Sequence, residues 1–335
     1  MSDAQTGMDD ASTCLPTMQN TVAKAASFHG LSLFHGYPVS ATVLPAGVNT
    51  GIVFRRTDLS NAADIPARTE SLQKVPRRTV IGHDDTVFVE TIEHLMAALA
   101  GLNVDNAVVE LDAPEVPSFD GSCIHFCDGI LDAGIVQQDA PAVTHRIRST
   151  MTLPAAEQTS TANSSSDVAA AHAQNSIQLR PGFPDVYQVS YHLDYGKGSP
   201  LMQQSATGRI VPEFFYAEIA KARTFVLESE IKALKSAGYG QHLTPKDLVV
   251  VTESGILDNQ LHWDNEAARH KILDCVGDFA LSGCRVTGVF EAHQSGHRLN
   301  HEVASQIALE LGSSIQNQTK QKPRPKHTDF NQAAA

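Results

Sequence analysis

The chain has 335 residues, 42% of them apolar, with a single tryptophan, enough for one large domain or two medium ones that each bury a core. Acidic side chains outnumber basic ones, 37 to 25, for a formal net charge of −12; that argues against nucleic acid, whose phosphates require clustered Lys and Arg. No apolar run approaches the roughly 20 residues that span a bilayer, and the opening MSDAQTGMDDASTC has neither the basic start nor the apolar stretch of a signal peptide, so the composition predicts a cytoplasmic protein without membrane insertion.

Residues 1–20 show no usable periodicity and are expected to form a disordered lead-in. From Pro38 the chain alternates, with Val39, Ala41 and Val43 on one face, and 52–55 reads as a second strand. A short β-rich run at 86–89 leads into TIEHLMAALAG, where Ile92, Leu95, Met96 and Leu99 follow helical spacing and Gly101 is expected to end the helix. A strand over 104–111, the loop APEVPSFDG and a helix over 122–131 follow. Residues 155–175, rich in Ser, Thr and Ala, are expected to be a mobile insertion. Beyond it the pattern predicts a strand in VYQVSYHLDYG, helices over 214–221 and 228–235, a strand over 247–251, a long helix over 265–281 closed at Gly283, a strand over 285–291 and a last helix over 298–311. The tail from 316 to 335 is polar and interrupted by proline, and is expected to be disordered. The predicted domains are 21–141 and 142–315. TIEHLMAALAGLNVDNAVVEL and ARHKILDCVGDFALSGCRVTGVFEA both run helix, glycine, strand with a histidine near the helix start; two such halves meeting at a cleft would bring those histidines together.

His270, Asp274 and Asp278 are spaced by four on the long helix, so their side chains share a face. A His and a carboxylate at that spacing can grip a metal, but a solvated helical face has the same pattern. Glu93-His94 opens the shorter helix: one residue can hold a metal while its neighbour deprotonates a water, or the pair is a surface acid at a helix start. His293, His297 and His301 also repeat by four, yet Ser295-Gly296 breaks the run; His297 is read as an acid/base residue at a strand-to-helix turn, with His293 and His301 on the surface. The remaining histidines, including His35, His192 and His242, are read as ordinary. The five cysteines form no disulfide framework, and Cys123 and Cys127 read as free buried thiols rather than half a zinc site. His94, His270 and Asp274 together give three protein ligands, the number for a catalytic zinc with an open position.

FRRTDL, TIEHLMAALAGLNVDNAVVEL, APEVPSFDGS, KARTF, RHKILDCVGD and SGHRLNHEV occur in this order between about residues 29 and 310, and through them the chain resembles the UDP-3-O-acyl-N-acetylglucosamine deacetylases, zinc amidases of lipid A synthesis. The resemblance implies an α+β fold of two similar two-layer α/β domains, small sheets on helices, each with an insert and with the active site in the cleft between them. It implies one zinc per chain on His94, His270 and Asp274, Glu93 as general base, His297 as general acid supported by Asp278, and Thr224 at the oxyanion. Lys271 and Phe225 are implied as substrate contacts. The implied partner is a UDP-linked acylated glucosamine, whose chain would bring transient contact with a membrane surface; the pattern carries no signal for oligomeric state. Phe225, Val226, Leu227, Ile231 and Leu234 are candidates for an acyl passage, or plain core.

The chain departs from the family pattern at four places, one of them the extra Ser/Thr-rich insertion at 155–175. The early loop usually reads Gly-x-Gly-Leu-His-x-Gly, but here it is GLSLFHG, with Phe34 at the histidine position. GQHLTPKDLVVV replaces a Gly-Gly-Ser and Asp-Asn-Ala pattern, and Leu227 stands where the family has phenylalanine. These changes leave open a same-fold zinc amidase acting on another N-acyl sugar. A non-catalytic relative is disfavoured because every residue of chemical use is present.

Overall fold

The computed structural model describes residues 17–154 and 175–321. Most of the 155–175 insertion, the first sixteen residues and the last fourteen lie outside that set. The architecture is mixed α and β, built from small sheets layered on helices. Five strands pair in the order Ala26–Leu31, Pro38–Pro45, Ala107–Leu111, Ile52–Arg56, Ile65–Pro66. As the alternation predicts, Val39, Ala41 and Val43 point inward and are buried. Against this sheet lie a short helix, Glu93–Gly101, and a second, Ile124–Ala133. The second sheet centres on Arg285–His293, flanked by Ser176–Arg180 and Tyr187–Leu193, with Met151–Pro154 and Gln204–Arg209 outermost and Thr144–Arg146 pairing with its start. Val286, Phe290 and Ala292 face inward, against the long helix Glu266–Phe279 and the C-terminal helix His297–Gln321.

Each half carries a small additional sheet. In the first, Leu72–Gln73, Val80–Gly82 and Phe88–Glu90 form three strands; in the second, Phe225–Leu227, Val249–Thr252 and Gly255–Ile256 do so, beside the helix Glu228–Ser236.

The short and long helices pack directly on each other, and the contact is too close for any side chain at its centre. A Cβ built on Gly277 would sit 2.1 Å from the carbonyl oxygen of Glu93 and 3.1 Å from the amide of Ala97. Both helices are buried along nearly their whole length, including the polar residues Glu93, His94, His270, Asp274 and Asp278. The chain enters the short helix through Thr91 at φ 59, left-handed backbone that a β-branched residue adopts only under constraint. The Thr91 hydroxyl holds that conformation by donating to Glu115 Oε1 (3.0 Å). The C-terminal helix is entered in the same way, through Gln294 at φ 51.

Several expectations are corrected. Met18–Val22 is a strand paired with Ile135–Pro141, so the last residues of the expected lead-in are part of the fold. Its alternation is too short, and its partner too distant in sequence, to be visible locally. Gly101 does end its helix, as expected; a Cβ there would meet the Phe215 ring at 2.3 Å, and Asn103, two residues on, takes a positive φ. The helix expected over 214–221 is a single turn at Pro212–Phe214 followed by a π-helical turn, Phe215–Ile219. The C-terminal helix continues to Gln321, past the expected start of a disordered tail at 316.

Gly277→Ala should therefore destabilise the fold by about 3 kcal/mol or more, because the opposing atoms are backbone and cannot rotate away. Gly312→Ala, where a Cβ meets nothing within 4 Å, should be neutral or stabilising by up to about 1 kcal/mol. Denaturant unfolding of the two variants checks the contrast.

Candidate active site

Across the helix contact, His94 and His270 face each other edge to face, with ring centroids 5.0 Å apart. Asp274 Oδ1 lies 3.3 Å from His270 Nε2 and 3.9 Å from His94 Nε2. That oxygen is buried and accepts no hydrogen bond, whereas its twin, Oδ2, accepts from Lys271 Nζ at 2.7 Å. His270 Nδ1 donates to the carbonyl of Ala222 (3.0 Å), so its Nε2 carries a free lone pair directed at the cluster. Burial, with His270 beside it, pushes His94 down to about 3, and burial also lowers His270, so both rings are neutral. Burial alone would raise Asp274, but Lys271 and the surrounding histidines outweigh it and hold the carboxyl below the usual range. Two neutral imidazoles and an ionised carboxylate with an orphaned oxygen are a donor set that fits a divalent metal.

Beside it lies a second group sharing protons. Asp278, fully buried, accepts from His297 Nδ1 (2.8 Å) and Asn300 Nδ2 (2.9 Å) on one oxygen and from Thr79 Oγ1 (2.6 Å) on the other. His301 Nε2 stands 2.9 Å from Thr79 Oγ1 and 3.4 Å from Asp278 Oδ1. Burial opposes a charge on His297, but Asp278 and then Glu93 prevail, and the ring is held up at about 9. Glu93 Oε2 accepts the Thr79 amide (3.1 Å), while Oε1 faces His297 Nε2 at 3.8 Å. Burial raises Glu93 to about 7, although His297 pulls the other way.

The segment 222–225 closes the site from the second half. Arg223 is buried and pairs with Glu266 at the start of the long helix through both Nε (2.8 Å) and Nη2 (3.1 Å). Thr224 donates its amide to Gly121 O (2.8 Å), where Gly121 is required twice over: its φ is +82, and a Cβ would meet Thr224 Cγ2 at 2.8 Å. Phe225 sets its ring edge against His270, centroids 6.4 Å apart. These side chains open onto a cavity of about 1660 Å³. Glu93, His94, Thr224, His270, Lys271, Asp274 and His297 line its polar part; Val226, Ile231, Leu234, Leu243, Leu248 and Val250 line an apolar part within the second half's additional sheet and helix.

The sequence pattern of the LpxC family, UDP-3-O-acyl N-acetylglycosamine deacetylase, matches residues 19–309. The chain belongs to this family. Among its relatives, the UDP-3-O-acyl-N-acetylglucosamine deacetylase of Myxococcus xanthus (strain DK1622) is 36% identical over 290 residues, 86% of this chain and 86% of the relative. The enzyme of that name from Shewanella sp. (strain W3-18-1) is 34% identical over 307 residues, covering 88% and 92% respectively. That of Actinobacillus pleuropneumoniae serotype 3 (strain JL03) is 33% identical over 293 residues, covering 86% and 89%.

Within this family member, the nine residues singled out from sequence all face one cavity or the network behind it. Asp278 is the one set back from the cavity, reaching it through His297. Two readings are corrected. His301 is not a surface residue: it lines the cavity and meets Thr79. The Ser295-Gly296 break lies before His297, so His297 and His301 are one turn apart on a single helix, and the four-residue spacing was a usable signal. Leu227 does not line the cavity, whereas Val226, Ile231 and Leu234 do. Thr79 carried no signal of its own, since it reaches Asp278 across 199 residues of sequence. Phe34, in the divergent loop, packs edge-on against Tyr239 (5.4 Å), with the Arg78 guanidinium over both rings. Cys123 and Cys127 are buried and unbridged.

Thr79→Val keeps the amide bond to Glu93 but removes the hydroxyl that serves Asp278 and His301. It should cost about 1–3 kcal/mol in denaturant unfolding, since a buried carboxylate loses a donor.

Proposed function

We propose that this chain hydrolyses the N-acetyl group of UDP-3-O-(3-hydroxyacyl)-N-acetylglucosamine to give acetate and the free 2-amino sugar, the committed step of lipid A biosynthesis. The observation that carries the reading is the orphaned Asp274 oxygen between two neutral histidines, opening onto a cavity that runs from charged to apolar. His94, His270 and Asp274 would hold one zinc ion. When bound, the ion supplies Lewis acidity, making a water nucleophilic near neutral pH and polarising the amide carbonyl.

The chain's own residues supply the rest. Glu93, buried and raised in pKa, takes a proton from the attacking water. Thr224 offers its hydroxyl to the oxyanion that forms. His297, kept cationic by Asp278, passes its proton to the leaving nitrogen, without which an amine anion would have to depart. Lys271 stays charged through Asp274 and can donate to a polar group of the substrate. Phe225 walls the sugar pocket, and the apolar end, including Ile231 and Leu234, takes the acyl chain. The division at 141/142 between two domains belongs to the same proposal, as does work in the cytoplasm with the acyl chain drawn from a membrane surface. Among the described residues no helix is long and apolar enough to cross a membrane.

A second reading, the same hydrolysis on a different N-acyl sugar, is favoured only by the Phe34–Tyr239 packing at the cavity wall. Acetate release from the UDP substrate, lost on chelation and restored by about one equivalent of zinc, supports the first reading. No turnover by zinc-loaded protein, with turnover of another N-acyl sugar, replaces it with the second.

The rate should be bell-shaped in pH. The acid limb follows deprotonation of Glu93, which burial raises to about 7 against the pull of His297. The alkaline limb follows loss of the His297 proton near 9. Asp278→Asn removes the charge that holds that proton, so the alkaline limb should move to lower pH. Glu93→Gln should lower kcat by about 10²–10⁴-fold while zinc content stays at one equivalent.

A further inference from the structure

We propose that His192, Glu291 and His293 form a second divalent-metal site, on the solvent-facing side of the six-stranded sheet, suited to an imidazole-preferring ion such as zinc or nickel. His192 and His293 are register partners on adjacent parallel strands, and Glu291 lies two residues before His293 on the same face. Both imidazole Nε2 atoms are directed at one carboxylate oxygen: Glu291 Oε1 is 3.6 Å from His192 and 3.5 Å from His293.

Those separations are long for hydrogen bonds, which for N–H···O fall at about 2.7–3.2 Å. They match what a metal requires: ligand atoms held roughly 2.0–2.1 Å from a tetrahedral zinc lie about 3.3–3.5 Å from one another. The supporting contacts select the same atoms. His192 Nδ1 is engaged with Ser205 Oγ at 2.9 Å, which leaves its Nε2 for a ligand, and Arg180 occupies the other Glu291 oxygen at 2.8 Å. The imidazoles are stacked, with centroids 4.5 Å apart and planes 16° from parallel. By contrast, in the His35, Glu90 and Glu115 group both Glu115 oxygens accept from the Phe34 and His35 amides and the Thr91 hydroxyl, and Glu90 is paired with Arg78 and with His35 at 3.0 Å. At His192, Glu291 and His293 three protein ligands leave at least one position for water or an anion, and the ion would tie the two central strands together.

Zinc itself is the probe. Protein already carrying one equivalent is titrated with more zinc by calorimetry while the histidine ring resonances are followed by NMR. A second equivalent should bind, shifting His192 and His293, and it should raise the melting temperature of the zinc-loaded protein. The His192→Ala/His293→Ala double variant should keep the first equivalent and its acetate release, and bind the second at least about tenfold more weakly; Ser205→Ala should lose about tenfold. Glu291→Gln gives an independent test, losing affinity while retaining both imidazoles. If the double variant binds the second equivalent as tightly as the parent, or if added zinc moves only His297 and His301, the site does not exist.

Discussion

The backbone contact between Gly277 and Glu93 is the constraint on which the site depends. It brings two helices from different halves of the chain to a separation at which only hydrogen fits between them. On the long helix, Asp274 and Asp278 lie on either side of that glycine; on the short helix, His94 follows Glu93 directly. Fixing the crossing at one point therefore fixes where His94 meets Asp274 and where Glu93 meets His297. Neither helix achieves this alone, because each presents only part of the donor set. The left-handed residues Thr91 and Gln294 serve the same end, turning the chain sharply so that Glu93 and His297 sit in the first turns of their helices.

So tight a junction buries charge, and the fold responds by dividing labour between two neighbouring aspartates. Asp274 has one oxygen neutralised by Lys271 and the other left bare, which suits an incoming cation. Asp278 has its oxygens engaged by Thr79, His297 and Asn300, with His301 close by, which suits holding a proton on a ring. The same residue type one turn apart on one helix thus meets two needs, decided by the neighbours each is given. Thr79 links the two tasks, since its amide steadies Glu93 and its hydroxyl steadies Asp278.

What could be read from sequence follows the range of the interactions. The strand alternation at Val39, Ala41 and Val43 and the helical spacing of His270, Asp274 and Asp278 are local and were legible, as was the pairing of two helix-glycine-strand units that set His94 against His270. Met18–Val22 was not, because its pairing with Ile135–Pro141 spans more than a hundred residues. Thr79 was hidden for the same reason. His301 is visible in its spacing, but that spacing tells only once His297 is known to begin the helix rather than to sit in the turn before it. Gly101 ends its helix as the sequence suggests, but the room it leaves for the Phe215 ring is a long-range contact that the sequence does not show.

The divergent loop at 31–37 can be understood from what it touches. Gly240 donates its amide to Phe34 O, and a Cβ on Gly36 would strike His242, so this loop and the 239–242 turn pack closely. Arg78 lies under Phe34 and Tyr239 and pairs with buried Glu90, next to Thr79. One cation thus connects the aromatic wall of the cavity to the segment that steadies Glu93 and Asp278. Replacing a polar histidine by Phe34 at such a position exchanges a hydrogen-bonding group for an aromatic face that stacks on a guanidinium, strengthening the wall while removing a donor from it. At this point the cavity wall is the Phe34 ring packed on Tyr239.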